Sequence, residues 1–138
     1  MPTKKKAKPK ATSGPKASAN AEFESTFKEL KRVLGAFAPK LKVTDDEPHK
    51  YTLVTKSKNW RGQHMFFGAL MQGKAYVSYH IMALYMDPEL IKTVPPELKK
   101  RMQGKACFNF RSPDDVVFRQ LKDVTQACLE KYRAKNWL

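Results

Sequence analysis

The sequence predicts an α+β two-layer sandwich, an antiparallel sheet with an N-terminal and a C-terminal helix packed on one face. Two apolar stripes at helical spacing bracket the chain: Phe23, Phe27, Leu30, Leu34 and Phe37, then Phe118, Leu121, Thr125, Cys128 and Tyr132. Between them lie segments rich in aromatic and β-branched residues that alternate with period two. The densest, Gln63–Tyr85, is interrupted only at Gln72-Gly73, where a tight hairpin needs a residue tolerant of positive φ.

Asn20 is the expected cap of the first helix, with Glu22 and Glu24 in the turn where the helix dipole favours acids. Pro39 ends it. Lys40–Pro48 reads as a loop or weak strand closing on Asp45, Asp46 and Glu47, and Tyr51–Thr55 as a strand. Lys56–Gly62 is a basic loop in which Trp60 adjoins Arg61, a pair able to stack on a base or another planar ligand.

Two strands, Met65–Met71 and Lys74–Tyr85, follow. A reversal at Gln72-Gly73 sets Met71 opposite Lys74, Ala69 opposite Tyr76, Phe67 opposite Ser78 and Met65 opposite His80. One face then holds Phe66, Gly68, Leu70, Ala75, Val77, Tyr79 and Ile81, and belongs under the helices. The other holds Met65, Phe67, Tyr76, Ser78, His80 and Met82, and is the expected binding surface.

Asp87-Pro88-Glu89 starts a short helical turn that Pro95-Pro96 breaks, and Glu97–Met102 makes another. Lys99, Lys100, Arg101 and Lys105 gather around Gln103-Gly104, a turn whose N–H groups suit an anion but which lacks the full phosphate-loop pattern. Ala106–Arg111 alternates as a half-buried strand. Ser112-Pro113-Asp114-Asp115 marks the start of the last helix, with the Ser112 hydroxyl as cap. Trp137 is expected to fold back onto the edge of the domain.

At 138 residues the chain suits one domain, residues 19–138, preceded by a disordered basic tail, residues 1–18. Of the formal charge of +14, the tail lysines Lys4, Lys5, Lys6, Lys8, Lys10 and Lys16 supply +6, leaving +8 on the rest. Such a balance favours anionic partners. No apolar run is long enough to span a bilayer, so no membrane partner is expected. No apolar stretch follows the first lysines, and Cys107 and Cys128 fit no paired motif. The expectation is free thiols in a reducing, cytoplasmic setting.

Catalytic chemistry is sparse, and an enzyme is the less favoured reading. His49, His64 and His80 form no metal-binding spacing, and no metal or other cofactor is expected. His80, sharing a face with Tyr76, Ser78 and Met82, is the best group for proton chemistry or ligand hydrogen bonding. Arg101 and Lys105 near Cys107 favour a lowered thiol pKa, although spacing reveals no acid–base partner.

The segments YVSYHIMALYMDPEL and ELKKRMQGKACFNF, with the Phe118–Trp137 helix, resemble the YdhG-like family of small α+β domains of unknown function. The resemblance covers roughly Phe23–Trp137 and implies a frataxin-like sandwich. It also implies iron handling as an alternative role, for which Asp45, Asp46 and Glu47 are the corresponding acids. The leading expectation is a non-catalytic binding domain for an anionic small molecule or protein, using Trp60, Arg61, Tyr76, Ser78, His80, Arg101 and Lys105. A homodimer through the aromatic face and nonspecific nucleic-acid binding through the lysine tail are the other expected partnerships.

Overall fold

Both striped segments form helices, and both lie on the same side of one sheet. The computed structural model describes the backbone of residues 14–138, with side chains from residue 21 onward. The order is α1 (Gly14–Gly35), β1 (Lys42–Glu47), β2 (Lys50–Lys58), β3 (His64–Gln72), β4 (Val77–Ile81), α2 (Met82–Met86), α3 (Pro96–Lys99), β5 (Cys107–Phe110) and α4 (Asp115–Ala134). Short 3-10 turns at Ala38–Lys40 and Pro88–Thr93 link these elements. The strands pair antiparallel in chain order, β1-β2-β3-β4-β5, so the sheet is open. Residues 101–103 extend it past β5: Met102 bridges Phe108, the Asn109 N–H donates to the Arg101 carbonyl (2.9 Å), and the Gln103 N–H donates to the Cys107 carbonyl (2.8 Å).

The core fills the space between the sheet and α1 and α4. Phe27, Leu30 and Leu34 of α1 meet Leu53, Leu70, Tyr79 and Ile81 of the sheet, and Leu121, Cys128 and Tyr132 of α4 complete the layer. Tyr79, fully buried, shares a 2.8 Å hydrogen bond with Thr125 of α4. Burial raises the pKa of its hydroxyl, which stays neutral. Trp137 folds back as expected, edge-on to Tyr132 at 5.2 Å.

Five local expectations need correction. α1 begins at Gly14, so Asn20 lies inside the helix rather than at its cap, and residues 14–18 of the expected tail belong to it. The rest of that tail lies outside the described residues. The cap of α4 is Asp114, whose carboxylate accepts the Val117 N–H at 3.2 Å, and not Ser112. β4 stops at Ile81, and the expected strand continuation to Tyr85 is instead α2.

The fourth is the hairpin. Gln72 pairs with Val77, Met71 with Ser78, Leu70 with Tyr79 and Ala69 with His80, so the reversal centres on Lys74-Ala75. The Gly73 N–H closes the loop on the Tyr76 carbonyl at 3.0 Å. β3 runs on through Gln72 because its other edge is held by β2, where the Gln72 N–H donates to the His49 carbonyl at 2.9 Å. The shift is an even number of residues, so Ser78 and His80 keep their predicted face.

The fifth lies farther along β3, where a bulge exchanges sides. Leu53 pairs with Gly68, but Val54 pairs with Phe66, leaving Phe67 as the extra residue. Phe67 therefore turns into the core, fully buried, with its ring edge-on to Tyr132 at 5.1 Å. The Tyr132 hydroxyl donates to the Phe66 carbonyl at 2.6 Å, tying α4 to the bulge. Beside it, a Cβ on Gly68 would stand 2.9 Å from the His80 carbonyl oxygen and 3.4 Å from Leu34 Cδ1.

Phe67→Ala should accordingly cost about 3–5 kcal/mol in urea unfolding, as for a buried phenylalanine, and half-buried Phe66→Ala less than half as much. Equal effects would contradict the bulge. Gly68→Ala should cost about 1–3 kcal/mol by the same measurement, because the nearest obstacle is backbone.

Candidate functional site on the uncovered sheet face

Alternation dictates what the uncovered face displays. Val77, Tyr79 and Ile81 of β4 and Phe108 and Phe110 of β5 point into the core, which leaves Ser78, His80, Cys107 and Asn109 on the far side, each half-buried. Strand register sets Ser78 directly against Asn109 and His80 directly against Cys107. The Ser78 hydroxyl donates to Asn109 Oδ1 at 3.1 Å, and Asn109 Nδ2 donates to Gln103 Oε1 at 3.4 Å. Cys107 Sγ lies 3.5 Å from Asn109 Oδ1 and 3.7 Å from His80 Nε2.

Burial decides the charge states here. It lowers the His80 pKa, and raises the Cys107 pKa against a smaller opposing effect from the Ser78 hydroxyl. Near pH 7 the pair is a thiol beside a neutral imidazole. The lowered thiol pKa expected from Arg101 and Lys105 is thus corrected: both cations are exposed, where water screens them. Cys128, buried against α1 and the sheet, is pushed up to about 12 and is chemically quiet.

The cross-strand row through His80 continues to Ala69 on β3 and Thr52 on β2. Thr52 is only 9% exposed, and its hydroxyl has no hydrogen-bond partner among the described residues. Met71, 47% exposed, and Tyr76, 38% exposed, stand at the end of this face nearest the β3–β4 turn.

The predicted site residues divide into three groups. Ser78 and His80 share the β4 surface; the Arg101 backbone pairs with Asn109 beside them, and Lys105 lies two residues ahead of Cys107. The Arg101 guanidinium forms an ion pair with Asp114, the cap of α4, at 3.9 Å. Tyr76 sits at the turn before β4. Trp60 and Arg61 stand apart, in the β2–β3 turn past the other end of β4, with the guanidinium 4.7 Å over the indole and Trp60 87% exposed. That turn is built on Asn59, whose Oδ1 accepts the N–H groups of Arg61 (2.9 Å) and Gln63 (3.0 Å), and on Gly62 at φ 77°.

The acidic run does not converge. Asp46 pairs with Lys31 at 2.6 Å and Asp45 lies 3.7 Å from Lys50, on an edge strand whose register slips between Val43 and Asp45. His64 is held elsewhere, its Nδ1 donating to the Thr55 carbonyl at 2.7 Å. No group of three His, Cys, Asp or Glu side chains among the described residues is arranged to hold a metal ion. No helix among them is long and apolar enough to cross a membrane.

Asn109 is a functional candidate that sequence reasoning missed, and Cys107 enters that reasoning only as a thiol near Arg101 and Lys105. Their outward side was legible in the alternation of Cys-Phe-Asn-Phe. Their contact with His80 and Ser78 was not, since the chain between β4 and β5 carries no register signal. No protein-family model, curated protein or solved structure matches this chain.

The lowered His80 pKa has a consequence with a definite sign. Below the ordinary histidine value of about 6.5, the unfolded chain takes up a proton that folded His80 resists, so stability falls as pH drops through this range. The urea midpoint should decline from pH 7 to pH 5 less steeply in His80→Gln than in the wild type. Parallel profiles would place the titration elsewhere.

Proposed function

We propose that this domain is a non-catalytic binding module whose uncovered β4–β5 face takes an anionic small molecule. One observation carries the reading: half-buried Ser78 and Asn109 are hydrogen-bonded in a run that ends on exposed Gln103, His80 joins it through Cys107, and the exposed residues Arg101 and Lys105 precede β5 in the chain. The second amide hydrogen of Asn109, the Gln103 amide and the imidazole N–H supply neutral donors to orient an anion, while nearby cations attract it. β4 and β5 place no carboxylate on this face, Asp45 of the same cross-strand row stands three strands away on β1, and the thiol is protonated, which favours binding over turnover. The iron-handling reading suggested by the YdhG-like resemblance draws less support, because Asp45 and Asp46 are each engaged by a lysine.

Titration with inorganic pyrophosphate, followed by amide NMR, should move Ser78, His80, Cys107 and Asn109 in a saturable way. Arg101→Ala combined with Lys105→Ala should weaken the midpoint at least about tenfold, the loss of roughly one charge-assisted hydrogen bond. Shifts confined to other strands would overturn the assignment.

A second reading, association with nucleic acid, is favoured separately by the exposed Trp60 with Arg61 stacked on one face and Lys56 and Lys58 nearby in β2. Of the tail lysines invoked for it, Lys16 falls within α1, and Lys4, Lys5, Lys6, Lys8 and Lys10 lie outside the described residues. On duplex DNA, deleting residues 1–13, with their five lysines, should reduce the slope of log K against log salt by about 4.5, given roughly 0.9 per phosphate contact. On single strands, Trp60→Ala should weaken binding by about 1–3 kcal/mol in a fluorescence titration. An unchanged slope and unchanged single-strand affinity together would dismiss this reading.

A further inference from the structure

We propose that Cys107 and His80, with Asn109 beside them, form a binding site for a zinc-class divalent cation on the uncovered sheet face. The spacing of the donors is the first argument. A tetrahedral ion with a metal–sulfur bond of about 2.3 Å and a metal–nitrogen bond of about 2.0 Å requires sulfur and nitrogen to lie about 3.6 Å apart. Cys107 Sγ and His80 Nε2 are 3.7 Å apart, and Cys107 Sγ and Asn109 Oδ1 are 3.5 Å apart. Two donors, an imidazole nitrogen and an amide oxygen, therefore stand at tetrahedral-edge distances from the sulfur, and thiolate with imidazole is the pairing a borderline metal prefers.

The second argument is how these atoms are held. His80 and Cys107 are direct cross-strand partners, so backbone pairing between β4 and β5 maintains their separation. The amide orientation of Asn109 is specified by two neighbours. Ser78 Oγ donates to its oxygen, and its nitrogen donates to Gln103, which aims the oxygen toward the sulfur. Such outer hydrogen bonds orient ligands in built metal sites. On the β3 side of His80 the register partner is Ala69, whose methyl leaves the imidazole uncrowded from that strand, so water or an added ligand completes the coordination.

Binding converts the Cys107 thiol to a metal-bound thiolate, and its proton leaves to solvent. The nearby Arg101 and Lys105 oppose any cation, so selection rests on sulfur and nitrogen donors rather than on the local field. A hard cation such as magnesium is excluded on the same ground. Sequence spacing did not disclose this cluster, because His80 and Cys107 are 27 residues apart. His80 and Asn109 serve both this site and the anion site of the proposed function, so a bound cation and a bound anion compete for them.

The test uses the full chain, kept reduced with a phosphine, and cobalt(II) alone as the probe. Expected are a near-ultraviolet thiolate-to-cobalt band and visible absorption of tetrahedral intensity, saturating at one ion per chain and erased by zinc. Cys107→Ser should lose the near-ultraviolet band. His80→Gln should weaken cobalt binding by more than the tenfold to hundredfold typical of losing an outer hydrogen-bond partner. Absence of the band in the wild type, or its persistence in Cys107→Ser, would overturn the proposal. Should the serine variant misfold, zinc protection of Cys107 against iodoacetamide in the wild type decides, read by mass spectrometry: protection supports the site and its absence refutes it.

Discussion

One-sided burial of the sheet is the constraint on which the rest of this structure depends. With α1 and α4 on a single face, every strand residue is sorted by parity into core or uncovered surface. Tyr132 couples the two layers, since its ring packs edge-on against Phe67 while its hydroxyl reaches the Phe66 carbonyl at the bulge. The bulge matters because it reverses parity in β3 upstream of Gly68. It adds a large aromatic to the core, yet leaves Ala69 and the His80 row untouched downstream.

The same constraint explains why the candidate site is polar without being charged. β4 and β5 offer the core only apolar side chains, so their polar residues collect on the opposite surface. There they are half-buried by one another, and desolvation favours the neutral forms of His80 and Cys107. The formal charges lie at the margins, on the edge strand β1, at the ends of β2, in loops and on exposed helix faces, where water stabilises them. An uncharged hydrogen-bonding centre with a cationic border follows from sorting alone.

Much of the fold was legible because its signals are local. The stripes of α1 and α4, the alternation of β4 and β5, and the Pro88 turn capped by Asp87 each depend on residues within a few positions of one another. Errors fell where a local signal had competitors. Asn20 is an acceptable cap, but the helix continues N-terminal to it; Ser112 and Asp114 both suit a cap, and the Val117 N–H selects Asp114. At Gln72-Gly73 the sequence offered a turn, but pairing of β3 with β2 carried the strand past it.

What the amino-acid order determined by itself was the set of elements and which residues share a side, since both follow from periodicity along one segment. Only the tertiary structure decided the register of β4 against β5, the inward turn of Phe67 and the separation of Trp60 and Arg61 from His80. Those are relations between segments distant in the chain. Their outcome rests on packing against α4 and on hydrogen bonds from neighbouring strands, which no single stretch encodes.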